Sequence, residues 1–282
     1  MNLPKHTPYK NGEEVVKVGL EPIEEADWLE IDNLFDSEIE LKKKLYESHY
    51  KEIHQELDLS FQSQEELLEI LKTHLKQYHP SHKIIATETS SPLQNASLMV
   101  QEDLVLMMPS EEKYLLGAAS LCAPSNWSLK EKFNNSLIDL HKHVPLYEKK
   151  IGNRVNKIFN NLPNDRIFQR FNWSIYEDAS LFQPAKSKSL VERSKTITDK
   201  NAGNRLFIRV ERQTIRRLPR TQAIVFTIRV HVDPLSSIKE DLLLIKGLKK
   251  TLNNLSPDMK KYKSVDQIEA PLRGWLDKRL KI

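Results

Sequence analysis

The sequence predicts an α+β fold: an antiparallel five-stranded sheet with helices inserted after the second strand, and helical extensions at both ends. Two observations carry this. Short apolar runs of strand-like character fall in two groups, over residues 97–124 and 166–232. Capped, amphipathic helical text fills the stretches before, between and after them. With 39% hydrophobic and 29% charged residues over 282 positions, the chain is globular, of a size for one large core with extensions.

The elements follow in order. From Glu24 the text EEADWLEIDNLFDSEIELKKKLYESHYKEIHQEL sets Trp28, Ile31, Leu34 and Phe35 at helical spacing. A second helix opens on a capping box, Ser63 with Glu66, runs through LLEILKTHLKQY and stops at Pro80. SLMVQEDLVLMM and YLLGAASLCAP then read as two strands around the turn PSEEK. A further capping box, Ser128 with Glu131, starts a helix expected to reach Val144 before Pro145, and EKKIGNRVNKIFNNL continues as helix. After Pro163 come three strands, RIFQRFNWSIYE, RLFIRVERQTIRRL and AIVFTIRVHV. The polar run over residues 182–204 reads as a mobile or functional loop. Ser237 with Glu240 caps the helix DLLLIKGLKKTL, and PLRGWLDKRL is a last amphipathic piece. Two strands, helices, then three strands is the order of a PAS-like domain, expected over residues 93–235. Residues 1–92 and 236–282 are the helical extensions.

Composition excludes several functions. Seven glycines form neither GxGxxG nor GxxxxGK[ST], so no cradle for nucleotide phosphates is visible. The single cysteine, Cys122, rules out internal disulfides and a four-thiolate iron–sulfur cluster. No leader-like start and no apolar run of about 20 residues appear, so a soluble cytoplasmic protein without membrane contact is expected. The net charge of +4 permits an acidic partner without requiring one.

Chemistry-bearing candidates are few. Leu129, Phe133, Leu137, Leu140 and Val144 form one helical stripe, and His141 sits on it while His143 lies off it. A histidine aimed from a helix into a sheet-lined pocket suits the axial position of a haem iron. The commoner role is a core histidine bonded to a carbonyl. On the arginine-rich strand, Leu206, Ile208, Val210, Arg212, Thr214 and Arg216 share one side; Phe207, Arg209, Glu211, Gln213 and Ile215 share the other. Arg212 thus continues an apolar row, where it either serves a pocket or pairs with a carboxylate such as Asp178 or Asp233. Asn172, Trp173 and Trp127 are candidate pocket walls, although most tryptophans are simply core. Cys122 reads as an inert buried thiol. His74, His79 and His82 read as a solvated helix end.

In consistent order from Gly19 to Leu235, the segments ADWLEID, ASLCAPSNWSLKEKF, LHKHVP, IGNRV, FNWSI, LFQP, RVERQTIRRLPR and FTIR resemble the α subunit of haem-dependent oxidative N-demethylase. The resemblance implies a haem-binding PAS-like domain acting as a monooxygenase. It would convert dimethylamine, with O2 and NADPH-derived electrons, to methylamine and formaldehyde. It places the family's histidine on His141 as metal ligand, and its arginine-rich strand on Arg212, Gln213 and Arg216. Electrons would arrive from a separate reductase subunit carrying FMN and a 2Fe-2S cluster. The sequence departs from the family pattern at Lys142, His143 and Leu146, and His143 is a competing ligand. Two other classes stay open: a haem-based PAS gas or redox sensor, for which no output module is visible, and a nucleic-acid binder using the arginine strand. That strand's mixed apolar alternation argues against nucleic acid.

Overall fold

The computed structural model describes residues 3–12, 19–82, 89–111, 113–136, 139–140, 153–184, 192, 194–263 and 265–281. In chain order, β1 (Glu21–Ile23) precedes α1 (Phe35–Ser48), α2 (Tyr50–Ile53), β2 (His54–Glu56), α3 (Phe61–Tyr78) and α4 (Pro92–Ser97). The hairpin of β3 (Asp103–Ser110) and β4 (Lys113–Ser120) follows, then α5 (Leu129–Lys132) and α6 (Asn153–Asn160). Next come β5 (Ile167–Tyr176), α7 (Ala202–Arg205), β6 (Phe207–Arg217) and β7 (Ile224–Pro234). The chain closes through α8 (Leu242–Asn254), α9 (Pro257–Tyr262) and α10 (Glu269–Leu280).

The fold is α+β, but the sheet has seven strands, not five, in the order β1-β5-β6-β7-β3-β4-β2. All pairings between these strands are antiparallel. The five long strands are the five the sequence predicts. The extra two, β1 on β5 and β2 on β4, lie within the stretch expected to be extension. At three residues each, they are too short for alternation to show.

Several expected elements change for identifiable reasons. Residues 28–34 are not helical, because Glu30 and Asp32 reach across to side chains of β7. Glu66 does not close a capping box. Its buried carboxylate accepts from the backbone N–H groups of Arg220 and Thr221, at 2.7 and 2.8 Å, and so ties α3 to the β6–β7 turn. Helix α8 is capped by Asp241, which accepts from Leu243 and Leu244 N–H, rather than by Ser237. The helix after Ser128 ends at Lys132, since Phe133 is extended and Asn134 has φ of +59°. The predicted stripe is therefore not one helix, although Leu129, Phe133 and Leu140 still pack in one cluster. His141 and His143, with the rest of 141–152, lie outside the described residues, as does part of the 182–204 loop.

Strand alternation splits the sheet into two faces. On the first, Ile208 and Val210 of β6 with Trp173 and Ile175 of β5 meet α8 and α10 through Leu244, Leu248, Leu272 and Trp275. The β3–β7 part of that face packs Leu104, Leu106 and Val225 against Leu67, Leu71 and Leu75 of α3. The second face carries Val105, Met107, Ile215 and Ile224, with Leu129, Leu140, Phe159 and Leu162 from the β4–β5 connection. Among the described residues no helix is long and apolar enough to cross a membrane.

Candidate functional site

The charge on β6 resolves by face. Arg212, 4% exposed, points to the first face. It donates to Gln169 Oε1 at 3.0 Å, to the Trp28 carbonyl at 3.2 Å and to the Asp27 carbonyl, with Glu30 3.9 Å away. Directly opposite on β7, Arg229 bridges Asp32 at 2.8 Å and Glu38 at 2.9 Å. Arg216 meets Glu25 at 2.7 Å and stacks 4.3 Å above the Trp28 ring. Like charges facing each other across strands are destabilising unless carboxylates intervene, and the segment from Glu25 to Glu38 supplies them. This seam welds the N-terminal segment to the sheet. Arg212 pairs with neither Asp178 nor Asp233 in any described contact.

The second face holds a different cluster. Glu211 accepts from Ser125 Oγ, from Asn172 Nδ2 at 3.2 Å and from Gln213 Nε2 at 2.8 Å. Three of the four lone-pair positions of its carboxylate are thus taken by described residues. Lys263 donates to Asn172 Oδ1 at 3.2 Å and to the Trp173 carbonyl, which fixes the Asn172 amide with its NH2 toward Glu211. Burial lowers the Lys263 amine to about 8. Arg209, 1% exposed, donates to Ser125 Oγ and to the carbonyls of Ala123, Ser180 and Leu181, anchoring both loops beside the cluster. Burial is the main cause that lowers its guanidinium's pKa.

Beside this polar cluster lies an apolar floor. Phe168, Ile215, Phe226 and Ile228 come from three adjacent strands, with Met107 and Val105 from a fourth. Phe226 and Ile228 sit on the central strand yet are only half-buried, as are Phe168, Asn172, Glu211 and Gln213. Trp127 stands at the rim, with the Lys132 ammonium 5.4 Å from its ring. Asp103 also lies on this face, but its oxygens accept from Cys122 and Ala123 N–H at 2.7 and 2.8 Å, and burial raises its carboxyl to about 6.

Of the residues singled out from the sequence, Gln213, Asn172 and Trp127 come together on this second face. Arg212 and Arg216 are on the other, so Gln213 is not grouped with them. Trp173 is also on the first face, buried against Tyr9 at 5.4 Å. Glu211 alternates with Arg212 along β6, and that alternation puts it at the centre of the second-face cluster. Ser125, Arg209 and Lys263 carry no sequence signal of this role, since residues 84 to 91 positions apart in the chain make these contacts. Cys122 is buried, and burial first, then Asp103, pushes its thiol up to about 12, as an inert thiol requires. His74 departs from expectation: it is 3% exposed and packs edge-on to Trp28 at 5.1 Å. On the arginine strand, Arg209, Arg212 and Arg217 are each at most 6% exposed, so these three guanidinium groups are not presented to a nucleic acid.

A match to the family described as "Haem-dependent oxidative N-demethylase, alpha subunit-like" runs over residues 19–273. The description is of a haem-dependent oxidoreductase, and as an alpha subunit it implies partner subunits. The match takes in β1, the whole sheet and the first residues of α10, beyond the segments that carried the resemblance. The chain belongs to the haem-dependent oxidative N-demethylase, alpha subunit-like family.

Proposed function

We propose that this chain binds haem against the second face of its sheet and oxidatively demethylates a small secondary amine such as dimethylamine. The observation that carries the reading is the pairing of a half-buried apolar floor with a donor-ringed carboxylate beside it. A porphyrin needs a flat apolar seat, and Phe168, Ile215, Phe226 and Ile228 supply one in the middle of a sheet. Trp127 would form its wall. His141 would hold the haem iron; Leu140, the residue before it, is 9% exposed and packs in the same cluster. The described apolar floor and the half-buried residues beside it suit such a group.

Bound haem would supply the oxidation of the N-methyl group, in which O2, two electrons and two protons convert dimethylamine to methylamine, formaldehyde and water. The chain's own residues bind and orient. Glu211 holds the substrate ammonium through its remaining lone pair, and Asn172 and Gln213 keep that oxygen aimed. Arg209 holds the 123–125 and 180–181 loops over the cluster and so limits water there. Arg212 and Arg216, bound to the N-terminal segment, take a structural part.

Electrons would come from NADPH through a separate reductase subunit with FMN and 2Fe-2S, as the resemblance implies; one cysteine and no glycine-rich cradle in this sequence are consistent with that division. The test is spectroscopic and chemical. The purified protein should show a haem Soret band that His141→Ala abolishes, and with reductase and NADPH it should release formaldehyde from dimethylamine. An unchanged Soret band in His141→Ala overturns the ligand assignment. Haem binding without formaldehyde favours a gas or redox sensor instead.

A further inference from the structure

We infer that His6, Glu30 and His231 form a site for one divalent transition-metal ion, zinc by preference, on the face of the sheet opposite the proposed haem seat. The three come from separate stretches: the N-terminal segment, the extended run before α1, and β7. His6 Nε2 lies 2.8 Å from Glu30 Oε1, and His231 Nε2 lies 2.8 Å from Glu30 Oε2. All three ligand atoms fall within 4.8 Å of one another. Their side chains are 19%, 10% and 11% exposed, sheltered yet reachable. Tetrahedral zinc with bonds of about 2.0–2.2 Å separates its ligand atoms by roughly 3.3 Å; the present spacings run from 2.8 Å to at most 4.8 Å, so each has to open or close by no more than about 1.5 Å. Two imidazoles and a carboxylate leave the fourth position to water.

The surroundings suit this ligand set. A metal on Nε2 puts the imidazole proton on Nδ1, where an outer carboxylate commonly receives it. Asp233 is two residues past His231 on the same face of β7 and couples electrostatically to both imidazoles. The N-terminal segment is seated without any metal: Tyr9 is fully buried, the Phe171 ring backs His6 at 4.9 Å, and a Cβ at Gly247 would come within 2.0 Å of the Lys10 carbonyl. Lys5 competes, with Nζ 2.9 Å from Glu30 Oε1, but at 52% exposure it can swing into water. Lys5 and Arg212 together disfavour hard cations that bind by charge alone, so an ion forming strong imidazole bonds is selected over calcium or magnesium.

The test uses the full-length haem-loaded protein, cleared of loose metal, with zinc titrated against a chromophoric chelator and cobalt(II) read by visible absorption. One zinc per chain is expected, weakened at least about 100-fold by His231→Ala and by the surface-accessible His6→Ala. Lys5→Met should tighten binding, and His79→Ala should leave it unchanged. Absence of stoichiometric zinc binding, or binding that survives both His6→Ala and His231→Ala, overturns the assignment. The readout is metal occupancy, so it stands or falls apart from demethylation.

Discussion

Replacing Glu211 with glutamine isolates the carboxylate's charge from its shape. The amide can present its oxygen to Asn172 Nδ2 and Gln213 Nε2 and its NH2 to Ser125 Oγ, a hydroxyl that accepts as readily as it donates. The local network survives, so the fold should lose no more than about 1 kcal/mol. What disappears is the negative partner for a substrate ammonium. A hydrogen bond to a charged group is worth about 1.5–3 kcal/mol, so KM for dimethylamine should rise roughly 10- to 150-fold. The assay is formaldehyde release across amine concentrations with NADPH and reductase, at haem occupancy matched by the Soret band. A KM within threefold of wild type at full haem loading would refute the assignment of Glu211.

The remaining predictions address the scaffold. Arg229→Met leaves Glu38 and Asp32 without their buried cation and should cost about 3–5 kcal/mol in denaturant unfolding, whereas a loss under about 1 kcal/mol would mean the seam is not energetically coupled. Lys263, lowered to about 8 by burial, loses its proton in the folded protein before the unfolded chain does, near about 10.4. The unfolded state then binds more protons between those values, so stability relative to Lys263→Met should rise from pH 8 to 10 by up to roughly 3 kcal/mol. A pH-independent difference between the two proteins would refute it.

The five long strands were legible because each exceeds seven residues, enough for alternation to show. The family was legible from collinear motifs, and the match over residues 19–273 extends it to nearly the whole chain. The candidate site was legible only in part. Asn172, Gln213 and Trp127 lie where the polar cluster and apolar floor meet, but the arginines were placed by the apolar character of their row. That row is apolar because it faces the helices, and its arginines are matched by carboxylates and backbone carbonyls about 180 to 200 positions earlier in the chain. No local pattern reports a partner so distant. The long helix after Ser128 failed for a related reason: periodicity counts Leu129, Phe133 and Leu140 correctly as neighbours, but a bend at Asn134 brings them together as well as a helix would.

The two faces of β6 are not independent. A one-residue slip of β6 against β5 or β7 would exchange Glu211 for Arg212 on the site face. Apolar burial alone discriminates weakly against that slip, since both faces carry aliphatic residues: Ile208 and Val210 on one, Ile215 on the other. The ion pairs discriminate strongly. In the slipped register Arg212 and Glu211 would trade environments, leaving Glu30 beside a carboxylate and the carbonyls of Asp27 and Trp28 without donors. Desolvated pairs of this kind add little net stability over an apolar replacement, yet they penalise every misalignment that separates them. The arginine strand is charged on its core-facing row because that row sets which residues the other row presents.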